Sequence, residues 1–249
     1  MNKITVKLLD PTIDIDTIAQ LACLTTRAAN KYSTANELTN YIQDNSWDHK
    51  KVNSILKLPH NKIKRFMRFA FIVSGASRRF LAQLNTHQMG INIDYMSGSL
   101  QYSNHYKQSL DDKFTIPYDI INNTTAKEEF LASANNSYNA YCNLVKSGVN
   151  NDAAGYLMPE CIRNVILINV NLEELCYIGS QRLCKRNTSE ISYVVAKMIE
   201  LVCNQYNLDF KMFLPRCCNE GVYSCGRPIT ANSPKEYLLN TFPDLEDSV

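Results

Sequence analysis

No apolar run in this 249-residue sequence approaches membrane-spanning length; Val165–Val170 is among the longest. A span needs roughly 20 apolar residues, so neither a membrane segment nor a membrane partner is expected. Met1 is followed by N-K-I-T-V-K, an alternating strand pattern without an apolar h-region, and no signal peptide is expected. Dense Lys/Arg blocks are absent and the formal net charge is +2, so nothing in the charge favours nucleic acid. Neither G-x-G-x-x-G nor G-x-x-x-x-G-K-[ST] occurs, which removes a Rossmann crevice and a P-loop. Paired C-x₂₋₄-C spacings are missing as well. Cys217, Cys218 and Cys225, with Cys203 upstream, read C-C-x₆-C, a poor match to a structural zinc site, so no metal is expected. Internal repeats and low-complexity tracts are absent.

What remains is an ordinary globular composition, 45% hydrophobic and 20% charged, enough for a sizeable core. Nine cysteines are an odd number scattered over a long chain. Cys23, Cys142, Cys176 and Cys203 fall at apolar helix positions, where a thiol behaves as a small hydrophobe. That pattern suits a reducing, cytoplasmic compartment rather than a disulfide framework.

Lys3–Leu9 alternates as a half-buried strand and Pro11 stops it. Asp16 is placed to cap a helix bearing Ile18, Leu21, Ala22 and Thr25. Thr34 with Glu37 forms a capping box before Leu38, Tyr41 and Ile42. Phe66–Val73 reads as a strand ended by Gly75. Ser77 opens a helix with the stripe Phe80, Leu81, Leu84 and His87–Gln88, closed by Gly90. Leu100–Asn104 is expected to be a short strand, and Asp111–Thr124 a loop. Thr125 and Glu128 box the next helix, which presents Leu131, Ala134, Tyr138, Tyr141, Cys142 and Val145 and ends at Gly148. Val165–Val170 reads as a buried strand. Asn171 then caps a helix carrying Leu172, Leu175, Cys176 and Gly179. Asn187 and Glu190 start a long helix with Ile191, Val194, Val195, Met198, Ile199 and Val202 on one face. After Asn207 the pattern is irregular, and the end of the chain, with two prolines and an acidic finish, looks like a tail or an arm gripping a neighbour. The class is α+β, with long helices flanking an antiparallel or mixed sheet, in a single domain over 1–249 whose last part, 208–249, is an irregular extension.

The densest polar run between apolar elements is Ser77–Ser103. It holds Gln83, Asn85, His87 and Gln88, then Ser99, Gln101, Tyr102 and Ser103. A run this polar is too rich for plain core and is the best candidate for a site.

These residues resemble the signature of the flavin-dependent thymidylate synthases, the ThyX family: S-R and a Gln, an R-H-R triplet, a spacer, then S-x-R-Y. Here Ser77-Arg78 precedes Gln83, the triplet reads Thr86-His87-Gln88, and Ser99-Leu100-Gln101-Tyr102 follows. Further on, Ala154-Gly155-Tyr156-Leu157-Met158-Pro159 resembles A-R-x-x-L-P. Val170-Asn171 stands for T-V-N, Arg182 for the helix-ending arginine, and Asn187–Ile191 for A-Q-W-E-I. The landmarks cover about 60–205.

The resemblance implies a homotetramer with FAD at subunit junctions, or a hetero-oligomer with an active paralogue. The implied reaction is one-carbon transfer from methylenetetrahydrofolate to a pyrimidine nucleotide or nucleoside, with NADPH as reductant. It implies flavin contacts at His87, Gln88, Asn171 and Tyr177. It places substrate contacts at Gln83, Thr86, Ser99, Leu100, Gln101 and Arg182, with Arg182 also catalytic. Relative to the family, arginine is absent at Thr86, Gln88, Gln101 and Gly155. Each lost guanidinium contact removes about 1.5–3 kcal/mol of charge-assisted binding, so a weaker grip on nucleotide phosphate is expected. Three readings stay open: a divergent synthase for dUMP, an enzyme for an altered uracil nucleotide or nucleoside, or a non-catalytic paralogue that binds flavin or nucleotide.

Overall fold

The computed structural model describes residues 4–9, 14–25, 35–58, 61–87, 92–101, 113–187, 189–219 and 225–245. In chain order the elements are β1 (Thr5–Leu9), α1 (Ile15–Thr25), α2 (Ala35–Asp44), α3 (His49–Leu56), β2 (Arg68–Ser77), α4 (Arg78–Leu84) and β3 (Ile93–Ser97). There follow α5 (Tyr118–Ile121), α6 (Thr124–Lys146), α7 (Asn151–Ala154), β4 (Arg163–Asn171), α8 (Leu172–Arg182), α9 (Ser189–Tyr206), α10 (Arg216–Asn219) and α11 (Pro234–Thr241).

The four strands form one sheet in the order β1-β2-β4-β3, every pairing antiparallel. The α+β class holds, and of the two sheet types expected it is the antiparallel one. Phe69, Phe71 and Val73 of β2 and Ile166, Ile168 and Val170 of β4 share the covered face with α4, α8 and α9. Val165–Ile168 of β4 is apolar on both faces, yet it is covered on one side only: Val165 and Leu167 are exposed. Successive strand residues point to opposite faces, so an apolar run supplies two apolar faces. Leu167 pairs with Ile72 and with Met96, and this cross-strand row of three lies open. Among the described residues no helix is long and apolar enough to cross a membrane.

Gly75 does not end β2. The strand runs through it with a bulge between Ser74 and Ala76, and Gly75 takes φ 84°, which favours glycine. The continuation delivers Ser77 directly to the start of α4, where its Oγ accepts from Phe80 N. The strand expected at Leu100–Asn104 lies earlier, at Ile93–Ser97, because I-D-Y-M-S pairs with β4. Leu100 and Gln101 sit in a turn, and 102–104 lie outside the described residues.

Several caps differ from expectation. Asp14, not Asp16, accepts from Thr17 N, and α1 buries Ile15, Ala19 and Gln20 rather than the Ile18–Leu21 face. Asp16 instead holds His49 Nδ1 at 2.8 Å, at the head of the unforeseen α3. Thr34 lies outside the described residues; of the stripe that follows, Ile42 is buried and Tyr41 exposed. Within the expected loop, Tyr118–Ile121 is helical, and Asn123 rather than Thr125 caps α6. Ala134, Tyr138, Tyr141 and Cys142 are buried as the stripe predicts. Asn171 does cap α8, and the apolar stripe of α9 is buried throughout. The Asn187–Glu190 box is not made. Asn187 donates to the Gln181 and Cys184 carbonyls, while Glu190 accepts from Ser77 N at 2.7 Å and from Ser77 Oγ. Glu190 thereby ties the first turn of α9 to the start of α4.

Beyond Asn207 the chain is neither irregular throughout nor an arm. A 3₁₀ turn at Phe210–Phe213 is followed by α10 and α11, and Phe210, Phe213, Tyr237, Leu238 and Phe242 join the main core. Phe242 meets Tyr193 of α9 edge-on at 5.5 Å.

Candidate active site

α4, the turn that follows it and α8 bring five of the nominated residues together: Gln83, Thr86, His87, Tyr177 and Arg182. Past Leu84 the chain tightens into a 3₁₀ turn at Asn85–His87, which aims Thr86 and His87 at the last residue of α8. Arg182 Nε donates to His87 Nε2 at 2.6 Å. Its Nη2 donates to Thr86 Oγ1 at 2.8 Å and to the Gln83 carbonyl at 3.3 Å. Thr86 Oγ1 in turn donates to the same carbonyl at 2.7 Å. Tyr177, one and a half turns back along α8, sets its ring edge-on to His87 at 6.0 Å. Thr86, His87, Tyr177 and Arg182 line a cleft of about 790 Å³, walled also by Cys184, Asn187 and Leu214–Cys217.

The protonation states follow from these bonds. A guanidinium only donates, so His87 Nε2 accepts and the ring carries its proton on Nδ1. Burial, and then the charge of Arg182, push the His87 pKa down to about 4, so the ring is neutral at pH 7. Its Nδ1–H is buried and has no partner among the described residues. Arg182 is half-buried, and its partners among the described residues are all uncharged. Burial lowers its pKa from the ordinary guanidinium value without discharging it. The site therefore holds an uncompensated cation beside an unsatisfied donor.

The other end of α8 builds a second recess. Asn171 Oδ1 caps Glu174 N at 2.9 Å, and Asn171 Nδ2 donates to Asn92 Oδ1 at 3.0 Å. Glu174 is buried; burial and the neighbouring Glu173 raise its pKa, and its Oε1 has no partner among the described residues. Arg65 pairs with Glu173 at the rim. Lys64, Arg65, Asn92, Glu173, Glu174, Cys176, Tyr177 and Met212 line a recess of about 570 Å³; Asn171, 1% exposed, is not part of its lining. Tyr177 lines both recesses, which lie towards opposite ends of α8. Asn171 and Arg182 stand at the two ends of α8, eleven residues and about 16 Å apart along a helix.

Ser99, Leu100 and Gln101 line neither recess. Their turn follows Gly98, whose N–H donates to Val165 O, at the end of the sheet away from Asn171. Ser99 Oγ accepts from Gln101 N, and Leu100 lies against Gly155. Two positions that lack the family's arginine, Gln101 and Gly155, thus share one corner, apart from Arg182. Gln88 lies outside the described residues.

The sequence reading did not nominate Glu174, Asn92, Cys184 or Leu214–Cys217. Glu174 was visible as the third residue after its cap, and only its burial distinguishes it. The wall from Leu214 to Cys217 had no local signal, since it arrives from beyond α9.

Comparison with known proteins gives this geometry a family. The family model described as thymidylate synthase complementing protein matches residues 7–206. The chain is similar to the flavin-dependent thymidylate synthase of Pyrococcus abyssi, 27% identical over 171 residues, covering 67% of this chain and 69% of that protein. It is also similar to the flavin-dependent thymidylate synthase of Geobacter sulfurreducens, 25% identical over 182 residues, or 71% and 75% of the two chains. Among solved structures it resembles Thymidylate Synthase X (ThyX) from Helicobacter pylori with FAD and dUMP. That match has a TM-score of 0.63 at 15% identity and covers 84% of this chain and 99% of the other, which speaks to the fold alone. With a family model spanning most of its length and the motif positions standing on α4, β4 and α8, the chain belongs to the thymidylate synthase complementing protein family, that of the flavin-dependent thymidylate synthases.

Proposed function

We propose that this chain is a flavin-dependent thymidylate synthase-like enzyme. It binds FAD along α8 and moves a one-carbon unit from methylenetetrahydrofolate to a uracil nucleotide or nucleoside, with NADPH as reductant. The names of the relatives in Pyrococcus and Geobacter support the class of activity, and the FAD and dUMP of the Helicobacter protein support the ligands. The observation that carries the reading is Arg182, a half-buried cation in the cleft wall whose partners among the described residues are all neutral.

The residues suit an elongated ligand of mixed polarity. Among the described residues, His87 Nδ1–H is a buried donor without a partner and Glu174 Oε1 a buried acceptor without one. Such groups cost about 1–3 kcal/mol each while unsatisfied, and each belongs to a residue that lines one of the two recesses. His87, Tyr177 and Asn171 are the residues that would hold the flavin; the bound flavin supplies the redox chemistry. Arg182 stabilises negative charge that develops on the pyrimidine ring, and the low dielectric of the cleft strengthens that effect. His87 keeps Arg182 aimed without competing for its charge, because the imidazole is neutral.

Substrate recognition rests on the ring more than on the phosphate. The Thr86 hydroxyl is engaged with Arg182 and Gln83, and Gly155 offers no side chain. We place Ser99, Leu100 and Gln101 in a site completed across a subunit junction of a homotetramer. The open apolar row Ile72, Leu167 and Met96 favours burial against another chain. Nine free cysteines suit a cytoplasmic setting.

Purified protein is expected to show flavin absorbance bands at one FAD per chain, as isolated or after adding FAD. Colourless protein that takes up no FAD overturns the reading in favour of a paralogue without catalysis.

A further inference from the structure

The last carbonyls of an α-helix have no partner inside it, and a glycine just past the end often closes them. α8 ends instead at Leu183-Cys184-Lys185-Arg186, with no glycine. Two hydroxyls from other elements take its carbonyls. Ser192 Oγ of α9 donates to Arg182 O at 2.6 Å, and Tyr237 Oη of α11 donates to Leu183 O at 2.9 Å. Both are buried, with Tyr237 1% exposed and Ser192 4%. A strut of two hydroxyls thus fixes the backbone from which the Arg182 side chain departs.

The side chain spans a short, defined gap. Its guanidinium must reach His87 Nε2 and Thr86 Oγ1 at once, and both acceptors sit on a different element. Small drift of the helix end opens one of those bonds, because a planar fork satisfies several acceptors only in one orientation. We propose that Tyr237 and Ser192 are positioning residues of the site: they clamp the end of α8 and so aim Arg182 at His87 and Thr86. Tyr237 lies beyond residues 7–206 matched by the family model. The C-terminal segment is therefore part of the site's machinery, and it also supplies the cleft wall Leu214–Cys217. The proposal depends on Arg182 being the site's cation but not on any flavin.

His87 reports the aim of Arg182 without a ligand. The nearby guanidinium contributes to holding its pKa at about 4, so a loosened Arg182 lets that value rise. The experiment is an NMR titration of the histidine ring signals in the ligand-free protein, of which the chain has four. Tyr237→Phe keeps the ring and removes the hydroxyl; Ser192→Ala removes the other donor. Each is expected to raise the His87 midpoint by about half a unit or more, and the double variant by more than either. Ser192→Thr, which keeps a hydroxyl, restores the wild-type midpoint. Tyr118→Phe is the control: it deletes the Tyr118–Asp244 bond to the same C-terminal segment without touching α8, and His87 stays put. An unmoved His87 in folded Tyr237→Phe and Ser192→Ala overturns the proposal. If Tyr237→Phe does not fold, Ser192→Ala decides on the same terms. FAD uptake is read separately, so failure of the flavin reading leaves this result standing.

Discussion

The two polar ends of the stretch from Ser77 to Gln101 meet different fates. Gln83, Thr86 and His87 converge with Arg182 under the sheet, each bond closing on another residue of the chain. Ser99 and Gln101 turn at the sheet's end beside Gly155, where Gln101 is exposed and no side chain of the pair carries charge. Buried His87 and half-buried Arg182 bond to each other, and exposed Thr86 joins them, so the first cluster is assembled before any ligand arrives. Groups in water can wait for a neighbouring subunit or a substrate. The comparison separates a cation that is kept, at Arg182, from cations that are missing, at Gln101 and Gly155.

The severest break is Arg182→Ala. It removes the cation and leaves His87 Nε2 and Thr86 without their donor. Turnover, followed as dUMP-dependent oxidation of reduced flavin, is expected to fall about 10²–10³-fold with the far-UV circular dichroism unchanged. A fall of less than threefold argues that Arg182 is only a helix-end cation.

The converse change restores charge to the depleted corner. Gln101→Arg with Gly155→Arg is expected to tighten dUMP binding at least tenfold, at about 1.5–3 kcal/mol for each charge-assisted contact. Gly155 tolerates a side chain, since a Cβ there meets Leu100 at 3.5 Å and glycine's special φ is not in use. Calorimetric titration of the FAD-loaded protein checks it; unchanged affinity means the corner does not face the phosphate.

Smaller effects test the scaffold. Asn171→Ala removes the cap of α8 and the bond to Asn92, and should cost about 1 kcal/mol in urea unfolding. At His49, burial opposes the charged ring, but the hydrogen bond and charge of Asp16 outweigh it and raise the pKa. A raised pKa means stability present below the ordinary 6.5 and lost as pH rises through the folded value. His49→Gln should therefore cost up to about 1 kcal/mol at pH 5.5 and almost nothing at pH 8.5. Equal costs at both pH values would dissociate the pair from stability.

Much of the cluster around Arg182 was legible in the sequence. Asn171 announced the start of α8 and the apolar spacing carried that helix to Gly179, while Arg182 was nominated by the resemblance to the ThyX signature. The stripe from Ile191 to Val202 set α9 beneath the sheet. What failed was any reading that used a polar residue only locally. Asn187 and Glu190 spell a capping box, yet Glu190 is drawn to Ser77, which is remote in sequence. Gly75 spells an end, yet its φ serves a bulge that continues the strand. The C-terminal helix escaped notice because Tyr237, Leu238 and Phe242 show their purpose only once α9 is there to cover. The open face of β4 was hidden for a related reason: an apolar run says that both faces are apolar, not that both are covered.

The most direct measurement compares dUMP with deoxyuridine as perturbants of the bound-flavin absorbance spectrum. Recognition through Arg182 and the ring, with a weak grip on phosphate, predicts dissociation constants within about tenfold of each other. Binding of dUMP a hundredfold or more tighter than deoxyuridine, worth about 2.7 kcal/mol or more, would contradict the account and show that the phosphate is gripped after all.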